Sequence, residues 1–386
     1  MKVLELFGGI GACSAALKRL GFNLDIEYVE IDRFAVQSFN AIHGTSFVPT
    51  DVREWDKDIE VDLIMHGSPC QDFSVAGLNK GGDEGSGTRS SLMYETLHIV
   101  EKLRPKYVIW ENVKNLLSAK HRHNFDAYQA RMVEFGYNNH YQVLNACDYG
   151  IPQNRERVFT ISIRNDLPDT FVFPEKQPLT THLSDILEEN VDEKYYLSEK
   201  ALDCFLSDGT GNYPRRERFF SNIFRKNQNI GNSITTNAGS RPTDNFVVDD
   251  TYRNRKPRVY SEVSPTLRSS RFGLKVSESI VVASRGRDPE NPSRRTAGGA
   301  FKQRLEPRLD GITNTLTTVQ KDNLIAELRD CRIRKLTPRE CWRLMGFSDE
   351  DFDKASKVCS NTQLYRQAGN SIVVNVLEAI LRNLLF

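Results

Sequence analysis

The sequence predicts an α/β protein built on a mostly parallel sheet, with a smaller, irregular β-rich domain set into its second half. Three observations carry that expectation. Short apolar runs alternate with amphipathic helical patterns over the first 165 residues, and a Gly-rich turn follows the first run directly. From about Asn165 the alternation gives way to Pro-, Asn- and Arg-rich sequence, before helical periodicity returns near Lys335.

The apolar runs Val3 to Phe7, Leu24 to Val29, Val61 to Met65, Tyr107 to Trp110 and Val158 to Ile163 have the length of buried strands. Helical patterns lie between them, near residues 12–20, 33–42, 90–103 and 125–136. Parallel strands need crossovers, and these helices supply them while covering both faces of the sheet. Ligands then bind at the carboxyl ends of the strands. In the middle segment Asn245 to Val248 and Glu278 to Val282 are β-prone, and Ser233-Ile-Thr-Thr, Ser264-Pro-Thr-Leu and Asn314-Thr-Leu-Thr are loosely similar. Thr337-Pro338-Arg339-Glu340 then reads as an N-cap, a proline at the first helical position and an acidic first turn. An apolar helix over about 371–385 closes the chain. Residues 1–165 form one body, 166–331 a second domain, and 332–386 a segment completing the first.

With 386 residues, 39% of them apolar, the chain can bury a sizeable core. No apolar run approaches the roughly 18 residues that a bilayer crossing needs, so a soluble cytoplasmic protein is expected. The seven cysteines are odd in number and form no CxxC pair or Cys/His cluster, which argues for reduced thiols and against a structural metal. The net charge of +1 conceals an asymmetry. Between Pro214 and Arg308, 16 Arg and 4 Lys stand against 9 Asp and Glu, a local excess of +11. Arginine forks phosphates and guanine edges, so this excess points to nucleic acid rather than to a merely solvated surface.

The first predicted strand runs into Gly8-Gly9-Ile10-Gly11 and a helix, a turn suited to close approach of a ligand to the backbone. Ser14 stands where a dinucleotide fingerprint has its third glycine, which lowers that reading. Glu30, at the end of the next strand, can accept both hydroxyls of a ribose, and Asp51-Val52 can read an adenine amino group. Singly, each carboxylate reads as a solvated loop residue. Together the three elements suit an adenosyl ligand with no phosphate to cradle, such as S-adenosylmethionine.

Val61 to Met65 leads into Gly67-Ser68-Pro69-Cys70-Gln71, which places a thiol just past a strand end, followed by a Gly- and Ser-rich stretch from Gly77 to Ser91 that reads as a lid. Most lone cysteines are inert and buried, but this one is flanked by proline and polar residues. Glu111 ends the neighbouring strand, and the spacing of Arg155 and Arg157 sends both side chains to one face of an extended segment. Thiol, carboxylate and two guanidiniums are expected to converge on one cleft.

These elements resemble those of bacterial and phage DNA (cytosine-5) methyltransferases. The matching residues are Phe7-Gly-Gly-Ile-Gly, Glu30, Asp51, Pro69-Cys70-Gln71, Glu111-Asn112-Val113, Gln153-x-Arg155-x-Arg157, Arg334-x-Leu-Thr-Pro-Arg-Glu and Gly369-Asn370-Ser371. They keep the family's order over residues 1–164 and about 332–386. The resemblance implies a Rossmann-like S-adenosylmethionine-dependent fold, with Phe7, Gly9, Gly11, Glu30, Ile31, Asp51, Val52 and Asn370 holding the cofactor and the last helix beside the first strand. It implies Cys70 as the nucleophile toward a flipped cytosine, Glu111, Arg155 and Arg157 as the groups that hold and activate the base, and no metal. Residues 166–331 take the place of the target recognition domain. Double-stranded DNA is the implied partner of a monomeric enzyme, and a cognate restriction endonuclease that forms no stable complex is a second candidate. Ser68 stands where many relatives have a second proline, a departure expected to alter loop stiffness and not the reaction. The long Arg-rich insert disfavours the RNA-modifying branch of the family, and retention of Cys70 and Glu111 disfavours a non-catalytic DNA-binding protein.

Overall fold

The computed structural model of the protein describes residues 1–69, 92–196 and 332–386, together with short strands at 231–232, 246–249, 281–286, 303–308 and 324–325. Cys70, the stretch from Gly77 to Ser91 and the three Thr-containing segments expected near the target lie outside the described residues, except that Gly231–Asn232 ends just before the first of these.

The main sheet has six strands: β1 (Lys2–Leu6), β2 (Asp25–Val29), β3 (Leu63–His66), β4 (Tyr107–Val113), β5 (Tyr137–Asn145) and β7 (Glu156–Arg164). Their order is β2-β1-β3-β4-β7-β5. β1, β2, β3 and β4 are mutually parallel, whereas β7 runs antiparallel to both β4 and β5. The sheet is thus mostly parallel, as the alternation predicts. The reversal has a simple cause: the connection from β5 to β7 is too short for a helical crossover, so the two strands pair as neighbours in opposite directions.

Helices α1 (Ala12–Arg19), α2 (Arg33–His43), α3 (Met93–Leu103) and α4 (Arg122–Glu134) occupy the predicted intervals within a few residues at their ends. The core they cover includes Leu4, Leu6, Ile64, Val108, Trp110, Phe125 and Tyr128. The chain returns to this body through α5 (Pro338–Arg343), α6 (Asp349–Ser356), α7 (Asn361–Asn370) and α8 (Val374–Leu385). Thr337 caps α5 in a reciprocal capping box, accepting from Glu340 N while Glu340 Oε2 accepts from Thr337 N at 2.8 Å. The last helix packs on α1, the helix that follows the first strand. Arg19 of α1 hydrogen-bonds Asn375 of α8 at 3.1 Å.

Two compact units emerge. The first comprises Met1–Asn190, Asn227–Ser240 and Leu336–Phe386, and the second Val191–Lys226 and Arg241–Lys335. Within the first, β6 (Gln153–Asn154) pairs with β8 (Gly231–Asn232). Within the second, β9 (Phe246–Asp249) pairs with β13 (Arg332–Lys335), while β10 (Val281–Gly286) lies between β11 (Gln303–Arg308) and β12 (Leu324–Ile325). Of the two β-prone pieces read from the middle segment, Asn245–Val248 falls largely on β9, and Glu278–Val282 meets β10 at Val281 and Val282, its first three residues lying outside the described residues. No helix among the described residues is long and apolar enough to cross a membrane.

Candidate active site

The first strand ends in a backbone that only a shaped turn can accommodate. Phe7 has φ 54°, Gly9 φ 55° and Gly11 φ 82°. A Cβ on Gly11 would lie 2.7 Å from the Phe39 ring, so this glycine is required by space as well as by conformation. A Cβ on Gly9 would meet nothing within 4 Å, and its backbone faces open space. Tyr28 Oη donates to Gly9 O at 2.7 Å and fixes the turn against β2.

Glu30 ties the same turn from the end of β2. Its Oε2 accepts from Gly9 N at 3.2 Å and its Oε1 from Asp32 N at 2.8 Å, and burial raises its carboxyl above the usual range. Thr50 N donates to Glu30 O at 2.8 Å, bringing the segment before Asp51 alongside. Asp51 itself caps the short 3-10 turn Val52–Glu54 and forks with the Arg53 guanidinium at 3.0 and 2.5 Å, which holds its carboxyl low. Ile31 is 64% exposed, whereas Val52 is buried in the core. A cleft is lined by Glu5, Phe7, Gly9, Gly67, Glu111 and Asn370, with Ser371 and Ile372 beside Asn370. Gly11, Glu30, Ile31, Asp51 and Val52 stand outside that lining. The residues suit an adenosyl cofactor on these grounds: an open backbone at Gly9, and beside it a carboxylate whose acceptor character matches ribose hydroxyls.

Sequence reasoning passed over Glu5. It sits fully inside β1, accepts from Ser14 N at 2.9 Å and from Ser14 Oγ, and burial pushes its carboxyl up to about 7. Ser14 therefore has a structural office: it staples the first turn of α1 to the strand. The available signal was a lone charge inside an otherwise apolar run.

Glu111 lies on β4, 9% exposed, and Arg157 Nε approaches its Oε1 to 3.1 Å. Burial raises the Glu111 carboxyl, opposed by the nearby charges of Arg157 and Arg155. The alternation read from the sequence is present: Gln153 and Arg155 are buried and Arg157 half-buried, while Asn154 and Glu156 face solvent. Yet the partners of that face differ. Gln153 Nε2 donates to Leu344 O at 2.7 Å, Arg155 Nη2 donates to Gly369 O and Ser371 O, and only Arg157 makes an ion pair with Glu111. Cys70 lies outside the described residues, but the chain leading to it is fixed: Trp110 Nε1 donates to Ser68 Oγ at 3.0 Å and Asn112 Nδ2 to Ser68 O at 3.3 Å. The two residues flanking Glu111 thus hold the approach to Pro69.

Comparisons with known proteins identify the family. A family model described as C-5 cytosine-specific DNA methylase matches residues 1–385. The orphan methyltransferase M.SPRI of Bacillus phage SPR is 33% identical over 436 residues, covering 100% of this chain and 97% of that protein. The type II methyltransferase M2.ScrFI of Lactococcus lactis subsp. cremoris is 36% identical over 338 residues, covering 86% of this chain and 70% of that protein. Among solved structures, the Entamoeba histolytica methyltransferase EhMeth superposes with a TM-score of 0.61 at 16% identity, covering 100% of this chain and 97% of the other. At that identity the likeness concerns the fold.

Proposed function

The chain belongs to the C-5 cytosine-specific DNA methylases and is a methyltransferase acting on carbon 5 of cytosine; from that premise we propose that Cys70 is its nucleophile and that residues 166–331 select the DNA sequence. The observation that carries the proposal is the Glu111–Arg157 pair, which flanks a cleft shared with Phe7, Gly9 and Asn370. It stands beside the strand β3 from which Gly67, Ser68 and Pro69 lead to the thiol.

Inside a duplex both faces of the cytosine ring are stacked, so the base is flipped out at a cost of a few kcal/mol. Carbon 5 is a poor nucleophile until a thiolate adds at carbon 6. The Cys70 sulfur forms a bond to carbon 6, the electron pair of the 5,6 double bond shifts toward N3 and O2, and carbon 5 becomes enamine-like. Glu111 is suited to this step: burial raises its carboxyl above the ordinary carboxylate range, the direction that favours a proton shared with N3 while the other oxygen accepts from the exocyclic amine. Arg157 offers a guanidinium edge to O2. Bound S-adenosylmethionine supplies the electrophilic methyl group that carbon 5 takes. Loss of the carbon 5 proton then restores the double bond and releases the Cys70 thiolate.

We assign cofactor contacts to Phe7, Gly9, Gly11, Glu30, Ile31, Asp51, Val52 and Asn370. Double-stranded DNA is the partner, and the enzyme acts as a cytoplasmic monomer. The test uses duplex DNA carrying 5-fluorocytosine in the methylated motif, which bisulfite or nanopore sequencing of DNA from expressing cells identifies. Fluorine cannot leave as a proton does, so the wild-type enzyme accumulates a covalent adduct, while Cys70→Ala forms none and still binds the duplex. Normal methylation by Cys70→Ala would overturn the assignment.

A further inference from the structure

Arg155 and Arg157 are two residues apart on one face, yet they serve different neighbours. Arg157 Nε meets Glu111 Oε1 at 3.1 Å, whereas Arg155 Nη2 donates to Gly369 O at 3.1 Å and to Ser371 O at 2.8 Å. Arg155 is only 4% exposed, so these bonds form where little water competes for them. They bracket Asn370, the last residue of α7, at the point where the chain leaves the helix in an extended conformation, Ser371 having φ −74° and ψ 160°. The carbonyls at a helix C-terminus have no partner within the helix and carry the negative end of its dipole, so a buried guanidinium is well matched to this place. Asn370, Ser371 and Ile372 line the same cleft as Phe7, Gly9 and Glu111.

We propose that Arg155 is a positioning residue of the cofactor site: by gripping the carbonyls on either side of Asn370 it sets the wall that this residue presents to S-adenosylmethionine. The inference rests on the reading of the cleft as the cofactor site. It gives Arg155 a task at the wall formed by residues 369–371, beside its electrostatic effect on Glu111. Arg157, the other arginine of that face, is paired with Glu111. Lysine preserves the charge of Arg155 but presents a point donor in place of a planar fork, so it does not reproduce the geometry of the two-carbonyl grip.

The experiment is calorimetric titration of S-adenosylmethionine into the full-length protein without DNA, for wild type, Arg155→Lys, Asn370→Ala and the double variant. Arg155→Lys raises Kd about tenfold. In the Asn370→Ala background the same change has less than threefold effect, a coupling that a general loss of stability would not produce. Unchanged affinity in Arg155→Lys, or effects that multiply in the double variant, overturns the proposal while leaving the cofactor reading intact. Failure of the wild type to bind overturns both. If Arg155→Lys does not fold, hydrogen exchange of the wild type decides instead: added S-adenosylmethionine must protect the amides of residues 370–372, and absence of that protection overturns the proposal.

Discussion

Glu5 occupies an interior strand position that would ordinarily hold an apolar side chain, and its cost depends on pH. Its carboxyl is pushed up to about 7 from an ordinary 4.5 by burial, partly offset by Ser14. Below about pH 4.5 the group is protonated folded and unfolded, so it carries no penalty; as pH rises toward 7 the unfolded chain gains a solvated charge that the folded protein resists. Stability attributable to Glu5 is therefore lost across this window, by roughly 3 kcal/mol. Glu5→Gln should become more stable relative to wild type by about that amount between pH 4.5 and 7.5, measured by denaturant unfolding at both ends. A difference that stays constant with pH would show that Glu5 is ionised in the fold. Glu30 makes a different kind of prediction. If Glu30 holds the ribose as proposed, replacing it with Ala removes charge-assisted bonds worth about 1.5 to 3 kcal/mol, and Kd for S-adenosylmethionine should rise roughly ten- to a hundredfold by calorimetry. Unchanged affinity would remove Glu30 from the cofactor site. The contrast shows what single residues disclose: the meeting of Glu111 with Arg157 was legible, because a predicted strand end and the alternation of an extended segment direct them together. The grip of Arg155 on residues 369 and 371 was not, because no local pattern encodes a contact across more than 200 positions.

Elements were legible in proportion to how fully they are buried. β1, β3, β4 and β7 announce themselves as apolar runs because they lie in the interior of the sheet, and β2, at the other edge, because it buries Tyr28 and Val29 at its end. β5 does not. Its sequence, Tyr137 to Asn145, contains Asn138, Asn139, His140 and Gln142, and it becomes a strand through a nine-residue antiparallel register with β7 at the sheet edge. Edge strands face solvent, so alternation and apolarity both weaken there. Local chemistry was a better guide at α5, where Thr337, Pro338 and Glu340 predicted a start that the structure realises as a capping box. Thr337 also donates to Glu188, so its hydroxyl serves two contacts at once. Thr337→Ala should cost about 1 to 2 kcal/mol in denaturant unfolding, with Thr337→Ser recovering most of it. Equal losses in Ala and Ser would mean that the methyl group, and not the cap, is what matters. The Ser68 departure finds its reason at this scale too. Hydrogen bonds from Trp110 and Asn112 stiffen the approach to Pro69, as a second proline ring would by fixing φ.

For the whole molecule, the decisive question is how an enzyme whose pocket admits one base acts on a chosen sequence. On the proposed reading Glu111 and Arg157 meet the edge of a single flipped cytosine, so they would discriminate that base and be blind to its neighbours. Neighbouring pairs must be read from a groove, which calls for Arg, Asn, Gln and Thr side chains on a separate surface. The segment 166–331 is rich in such residues, and its stretch 214–308 carries the +11 excess in a chain of net charge +1. That charge also predicts phosphate contacts, and with them a steep fall of affinity as salt increases. Two kinds of substitution should separate accordingly. Neutralising an arginine that meets phosphate weakens all duplexes about equally and flattens the salt dependence, whereas changing a base-reading residue relaxes one position of the motif. The Thr-containing segments beginning at Ser233, Ser264 and Asn314 are the places to begin. The fuller test exchanges residues 166–331 for the corresponding segment of a relative with another specificity and maps methylated cytosines by bisulfite sequencing. The motif should travel with the exchanged segment, while the covalent adduct still forms through Cys70. A motif that stayed with the catalytic body would place sequence reading in the first unit and leave the basic stretch with phosphate binding alone.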